Sequence, residues 1–225
     1  MKTIVFALPG RYYSGNFLVH WSQTLVELTK LGYKVHMINE YSSFVPFSRM
    51  KTLGLDVRRG YKQKPFNGEI EYDIWFSIDA DMFFLPEQVL DIIEDLQEHK
   101  VVSGIYRMED LKHFAAVKDW DLEYYKKVGS FKFLTQEDID PKEKYMKVVY
   151  NGMGFFACRR EVLEDDKLLY PYFSYPLLET EGENGVTIKD MCSEDVAFCK
   201  NLTDAGYDIM VNTTVRVGHE KTLVI

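Results

Sequence analysis

Residues 3–39 read TIVFALPGRYYSGNFLVHWSQTLVELTKLGYKVHMIN, and this stretch decides the predicted fold. An apolar run over residues 3–8 predicts a buried strand, which a Pro-Gly pair ends. Apolar residues at helical spacing from Phe17 to Leu31 then predict a helix, and residues 34–39 predict a second strand. A strand, a helix and a strand within forty residues are typical of a parallel α/β sheet.

The same alternation continues along the chain. Residues 74–78 form an apolar run that predicts a buried strand, and Pro86 begins a helix with one apolar face. A short helix is also expected over residues 47–53, and a long one from Ser193 to Gly206. Further strands are expected at residues 101–104, 148–150, 155–158, 208–212 and 215–217.

The pattern therefore predicts one Rossmann-like α/β domain over residues 1–225, with a mostly parallel central sheet flanked by helices. Residues 109–147 are charged and aromatic, so we expect an insertion or a mobile cover there. Residues 174–190 contain two glycines and are expected to form a loop.

Composition and charge exclude several classes of protein. The chain has 225 residues, of which 46 % are hydrophobic, and its formal net charge is −8. An acidic average surface argues against binding to nucleic acid or anionic lipid, although a local basic groove is compatible with it. No apolar run approaches the ~20 residues of a membrane span, so no integral membrane segment is expected.

The cysteines indicate a reducing compartment. There are three, which is an odd number, and they include no Cys-x-x-Cys pair: Cys158, Cys192 and Cys199. A disulfide framework or a cysteine zinc site is therefore not expected, and the predicted location is cytoplasmic. The sequence leaves the oligomeric state open.

Two aspartates follow a buried strand at Asp79-Ala80-Asp81. Asp-x-Asp also occurs at residues 119/121 and 138/140, but only the first copy ends a predicted strand. Ligands of open α/β sheets bind beyond the carboxyl ends of strands. Two carboxylates there repel each other unless a cation neutralises them, and oxygen ligands favour Mg²⁺ or Mn²⁺.

Two further features carry chemistry. Ser193-Glu194-Asp195 begins a predicted helix, where acids are ordinary capping residues but could also serve as a general base. His219 lies near the end of the chain and could complete a metal site with the aspartates, its nitrogen favouring Mn²⁺. Lys221 could then meet a phosphate.

In this order the three features resemble those of the GT-A glycosyltransferases. Asp79-Ala80-Asp81 resembles their Asp-x-Asp motif, Ser193-Glu194-Asp195 their acidic motif at a helix start, and His219 their late metal-binding histidine. The resemblance spans residues 3–221, and it implies that residues 1–108 are the nucleotide-binding half of the domain and residues 109–225 the acceptor-binding half. It leaves open whether the chain is closer to family-2 enzymes or to the mannosylglycerate synthase type.

The resemblance implies roles for named residues. Asp79, Asp81 and His219 would hold Mn²⁺ or Mg²⁺, and Asp195, with Glu194 as its neighbour, would be the catalytic base of an inverting enzyme. The donor would be a nucleotide sugar, with UDP-sugars favoured and GDP-sugars possible, and the acceptor a saccharide or another hydroxyl compound. The donor would contact five residues, namely Pro9, Arg11, Arg49, Ala80 and Lys221.

Three alternatives stay open at this point. A retaining glycosyltransferase of the same fold would need no strong base at the helix start. A nucleotidyltransferase would share the metal and the nucleotide, but its glycine- and lysine-rich opening loop is missing from Pro9-Gly10-Arg11. A non-catalytic carbohydrate-binding module would not need both the aspartates and the acidic helix start.

Overall fold

A seven-stranded sheet forms the centre of the computed structural model, which describes residues 2–182 and 185–221. Its strands lie in the order β2-β1-β3-β9-β5-β12-β7. The thirteen described strands are β1 (Thr3–Pro9), β2 (Lys34–Glu40), β3 (Ile74–Ile78), β4 (Met82–Phe83), β5 (Val101–Ile105), β6 (Ala116–Val117), β7 (Tyr145–Val148), β8 (Tyr150–Asn151), β9 (Phe155–Arg159), β10 (Leu177–Glu181), β11 (Thr187–Met191), β12 (Ile209–Arg216) and β13 (Gly218–His219).

Six α-helices accompany these strands in the described part of the chain. They are α1 (Gly15–Lys30), α2 (Val45–Thr52), α3 (Pro86–Asp95), α4 (Leu122–Val128), α5 (Arg160–Leu163) and α6 (Glu194–Asp204). None of the described helices is long and apolar enough to cross a membrane.

Five of the seven central strands run in one direction. β1 pairs in parallel with β2 and β3, and β5 pairs in parallel with β12. β9 lies antiparallel between β3 and β5, and β7 is antiparallel at the edge. The sequence prediction of a mostly parallel sheet in an α/β domain is therefore confirmed.

The core lies on both faces of the sheet because neighbouring residues of a strand point to opposite faces. On β1, Ile4 and Phe6 pack with α1 and α3 residues such as Trp21 and Ile92. Val5 packs on the other face in the cluster that contains Phe198 of α6. A strand buried on both faces needs the continuous apolar run that marked β1 in the sequence.

Two local predictions were wrong. Residues 174–190, expected as a loop, contain the hairpin of β10 and β11, in which Leu177 pairs with Met191. The two glycines that suggested a loop, Gly182 and Gly185, lie between β10 and β11 in the sequence. Gly185 has φ of 72°, a conformation that favours glycine. The strands expected at residues 208–212 and 215–217 are the single strand β12, with a register shift inside it.

Residues 109–147 contribute to the core. The segment contains β6, α4 and β7, and it buries five apolar residues that pack into the larger core cluster: Phe114, Ala116, Val117, Leu134 and Ile139. Most of the charged residues of this segment are exposed to solvent. The segment is therefore built into the domain, and its mobility stays a prediction.

Candidate active site

The carboxyl ends of the parallel strands meet at one edge of the sheet. β1 ends at Pro9, β3 leads into Asp79, and β12 leads into the short strand that carries His219. β1 and β3 are neighbours in the sheet, but the chain continues from β1 to β2 on one side of this pair and from β3 to β5 on the other. This edge is the switch point at which α/β sheets bind ligands.

A two-stranded ladder brings the end of the chain to the acidic turn. β4 and β13 are antiparallel, and His219 pairs with Met82. The backbone N–H of Glu220 donates to the carbonyl of Asp81 at 2.7 Å. Asp81 and His219, which lie 138 positions apart in the sequence, are thereby held side by side.

Asp81, His219 and Lys221 form a cluster that we call the open cluster. His219 Nε2 lies 2.9 Å from Asp81 Oδ2, and Lys221 Nζ lies 3.0 Å from the same oxygen. Lys221 Nζ is also 2.7 Å from His219 Nε2. The Asp81 and Lys221 side chains are each 46 % exposed, so solvent reaches the cluster.

The contacts within the open cluster shift the pKa values of Asp81 and His219. Burial opposes the shift, but the hydrogen bonds from His219 and Lys221 lower the pKa of Asp81 to about 2. The hydrogen bond to Asp81 in turn raises the pKa of His219. Asp81 is therefore a carboxylate at neutral pH, and its side chain is partly exposed to solvent.

Asp79 belongs to a second cluster, which we call the closed cluster. Arg49 donates to both carboxylate oxygens of Asp79, at 2.9 and 3.0 Å, and its Nε donates to Glu194 at 3.0 Å. The side chains of Arg49 and Glu194 are only 6 % and 10 % exposed. The guanidinium therefore joins α2, the end of β3 and the start of α6 inside the protein.

Asp195 lies beside the closed cluster without joining its ion pairs. Tyr150 donates to Asp195 Oδ2 at 3.0 Å, and the hydroxyl of Ser193 contacts the other carboxylate oxygen. Burial, and then the charge of Glu194, raises the pKa of Asp195. A carboxylate with a raised pKa accepts a proton more readily than an exposed one.

A cavity of about 300 Å³ adjoins the two clusters. It is lined by residues from the ends of β1, β2 and β3 and from one side of α2: Pro9, Gly10, Tyr12, Tyr41, Ser42, Val45, Ser48, Arg49, Asp79, Ala80 and Asp81. Gly10 permits the close approach of β1 to the acidic turn, since a Cβ on it would lie 2.5 Å from that of Ala80. The sequence predicted five of these lining residues.

The remaining predicted residue lies at the rim. The Arg11 guanidinium is 5.2 Å from the ring centre of Tyr12 and 5.7 Å from that of Tyr41. Sequence reasoning missed both tyrosines and also Tyr150. Aromatic residues are frequent in this chain, and nothing in their spacing marks these three.

The predicted metal ligands are only partly brought together. Asp81 and His219 converge, whereas both oxygens of Asp79 accept from Arg49. Within residues 2–182 and 185–221, no group of three or more His, Cys, Asp or Glu residues could hold a metal ion. A cation at this edge would therefore take two ligands from the protein and the others from water or a bound ligand.

Comparison with known proteins identifies a similar fold but no family. No protein-family model and no curated protein matches the chain. The crystal structure of A197 from STIV matches with a TM-score of 0.54 and 18 % identity, over 99 % of this chain and 87 % of A197. S. aureus TarS 1-349 matches with 13 % identity, over 95 % of this chain and 61 % of that chain, but its TM-score of 0.42 does not establish a common fold. The chain thus has an α/β fold similar to that of A197.

Proposed function

We propose that the chain transfers a sugar from a nucleotide-sugar donor to an acceptor hydroxyl, as GT-A glycosyltransferases do. One observation carries the proposal: Pro9, Asp81, Asp195 and His219 come from four distant parts of the sequence and lie around one edge of the sheet. The same edge is where nucleotides bind in related α/β architectures.

The open cluster would bind the diphosphate of the donor. Asp81 and His219 offer one oxygen and one nitrogen to Mn²⁺ or Mg²⁺, which commonly share their ligands between protein and phosphate. A bound divalent cation would stabilise the negative charge that develops on the leaving diphosphate. The Lys221 ammonium lies close enough to neutralise a phosphate oxygen beside it.

Asp195 would be the base that takes the proton from the acceptor hydroxyl in an inverting reaction. Its raised pKa suits that role, and Tyr150 orients the carboxylate. Glu194 is a poorer candidate, because the buried Arg49 already binds its carboxylate. Arg49 itself would position Asp79 and Glu194, and it would contribute little to binding of the donor.

The cavity beside the clusters would hold the nucleotide. Its rim presents the exposed rings of Tyr12 and Tyr41, on which a base could stack, and its floor is the turn around Ala80. UDP-sugars are favoured and GDP-sugars are possible donors. The acceptor would be a saccharide or another compound that carries a hydroxyl group.

A donor screen tests this proposal. The protein is incubated with UDP-sugars and GDP-sugars, with and without Mn²⁺, and release of the nucleoside diphosphate is measured. We expect slow hydrolysis of at least one donor that depends on Mn²⁺ and is lost in Asp81→Ala. If no donor is hydrolysed, and none raises the melting temperature in Mn²⁺, the proposal is wrong.

A further inference from the structure

A basic and apolar surface extends from the start of α2 into the segment that follows this helix. Its apolar part is strongly exposed: 57 % for Phe47, 79 % for Val57 and 70 % for Tyr61. Exposed apolar residues that gather in one region mark an interaction site more often than scattered ones do. We call residues 44–47 together with residues 51–64 the basic apolar face.

The charge of this face opposes that of the rest of the protein. Residues 51–64 contain five lysines and arginines and one acid, a net charge of +4 in a chain whose formal net charge is −8. The exposed cations include Arg58, Lys62 and Lys64, and Lys62 lies 5.7 Å from the ring centre of Tyr61. The partner of this face should therefore be negatively charged.

The face also borders a deep apolar groove of about 1160 Å³. Phe44 and Phe47 from the start of α2 form one wall, and Tyr175 packs edge-on against Phe44, with ring centres 5.1 Å apart. Val57 and Arg59 stand at the rim. Two acids, Glu40 and Asp56, and two bases, Lys51 and Arg59, also line the groove, which is otherwise mainly apolar.

From these observations we propose that the basic apolar face docks the protein on an anionic lipid surface. Each lysine or arginine near such a surface strengthens binding about fivefold to tenfold, and exposed valine and aromatic side chains can enter the boundary between headgroups and acyl chains. The groove provides space for an apolar chain beside that contact. A folded nucleic acid would match the charge but would not bury Val57.

Vesicle binding tests the proposal without any nucleotide or acceptor. The full chain is sedimented with vesicles of phosphatidylcholine alone and with vesicles that also contain about 30 % phosphatidylglycerol. We expect the protein to sediment with the anionic vesicles and not with the neutral ones. Salt at about 1 M should weaken binding, because it shortens the Debye length to ~3 Å.

Two substitutions separate the charged and apolar contributions. Lys62→Glu should weaken binding roughly tenfold or more, and Val57→Ser about fivefold. Lys127→Glu and Val128→Ser are matched controls at the end of α4, where Val128 is also 56 % exposed, and they should bind like the unmodified protein. Circular dichroism checks that all four variants are folded.

Three results would overturn the proposal. The first is equal binding to neutral and anionic vesicles, or no binding to either. The second is loss of binding in Lys62→Glu with full binding in Val57→Ser, which would indicate a site for a soluble polyanion. The third is an equal loss in the α4 controls. Donor hydrolysis is measured in a separate experiment. Absence of vesicle binding would therefore not contradict the proposed transfer reaction, and absence of donor hydrolysis would not contradict vesicle binding.

Discussion

The open and closed clusters divide a single Asp-x-Asp motif between two environments. Asp79 points inward, where Arg49 binds both of its oxygens, whereas Asp81 faces solvent with His219 and Lys221. The two aspartates are two positions apart in sequence. The motif therefore contains one acid that is paired with the buried Arg49 and one acid that is open to solvent.

Burial explains why the two clusters should respond differently to substitution. Removing one partner of a buried ion pair leaves a charge without compensation, whereas exposed ion pairs contribute little because water replaces the partner. Arg49 is 6 % exposed and Lys221 is 46 % exposed. The closed cluster should therefore control stability and the open cluster ligand binding.

The largest expected effect is on stability. Arg49→Met should lower the free energy of unfolding by about 3–5 kcal/mol, because it leaves the buried carboxylate of Glu194 and the half-buried carboxylate of Asp79 without their partner. Lys221→Met, which also removes a cation from a carboxylate, should change it by less than about 1 kcal/mol. Urea denaturation measures both. A stable Arg49→Met protein that loses only nucleotide affinity would mean that Arg49 binds the donor, as the resemblance implied.

The second effect is on transfer. Asp195→Asn should lower turnover by ~10²-fold or more, because an amide cannot accept the acceptor's proton, while donor affinity is kept. Glu194→Gln should instead lower stability, since it weakens the ion pair with Arg49. Turnover and melting temperature of both variants are compared. Normal transfer by Asp195→Asn would mean either that the reaction is retaining or that Glu194 is the base.

Asp195 should also affect how stability depends on pH. Its pKa is raised in the folded protein, so its contribution is fully present below the unfolded value of about 3.9 and is lost as pH rises through the folded value. The Asn variant removes that loss. We therefore expect its melting temperature at pH 7 to equal or exceed that of the unmodified protein, and a marked decrease would contradict the account.

A smaller effect is expected from Tyr150→Phe. Its hydroxyl donates to Asp195 and favours the charged form, so removing it should raise the pKa of Asp195 further. The acidic limb of the pH–rate profile should move to higher pH, with a severalfold loss of transfer below neutral pH. Tyr145→Phe, whose hydroxyl instead donates to Asp95, is a control that should leave the limb in place.

The smallest effect concerns protease sensitivity. β10 and β11 form a separate two-stranded hairpin, and such hairpins are marginally stable without further packing. If this hairpin or residues 109–147 close over a bound donor, cleavage there should slow when nucleotide and Mn²⁺ are added. Equal cleavage with and without them would count against a cover.

The sequence predicted the fold well because local patterns carry it. The buried strands β1 and β3 are continuous apolar runs. Helix α3 begins at a proline and has one apolar face. The hairpin was missed because its strands are short and largely exposed, so their residues show no buried face. Elements that the core does not bury leave a weak sequence signal.

The site was predictable only in part. The nearness of Asp81 to His219 followed from the resemblance, because a ladder of two short strands has no periodic pattern of its own. The pairing of Asp79 was missed, since Arg49 lies 30 residues earlier in the sequence and was expected to contact the donor. An ion pair between residues that tertiary packing brings together cannot be predicted from their positions in the sequence.

Calorimetric titration of a nucleoside diphosphate in the presence of Mn²⁺ tests the central claim most directly. The unmodified protein, Asp81→Ala and Asp119→Ala are compared, because the exposed Asp119 belongs to an Asp-x-Asp copy that follows no strand of the central sheet. We expect metal-dependent binding in the unmodified protein and in Asp119→Ala, and its loss in Asp81→Ala with the fold intact. Equal affinity in all three proteins would contradict it.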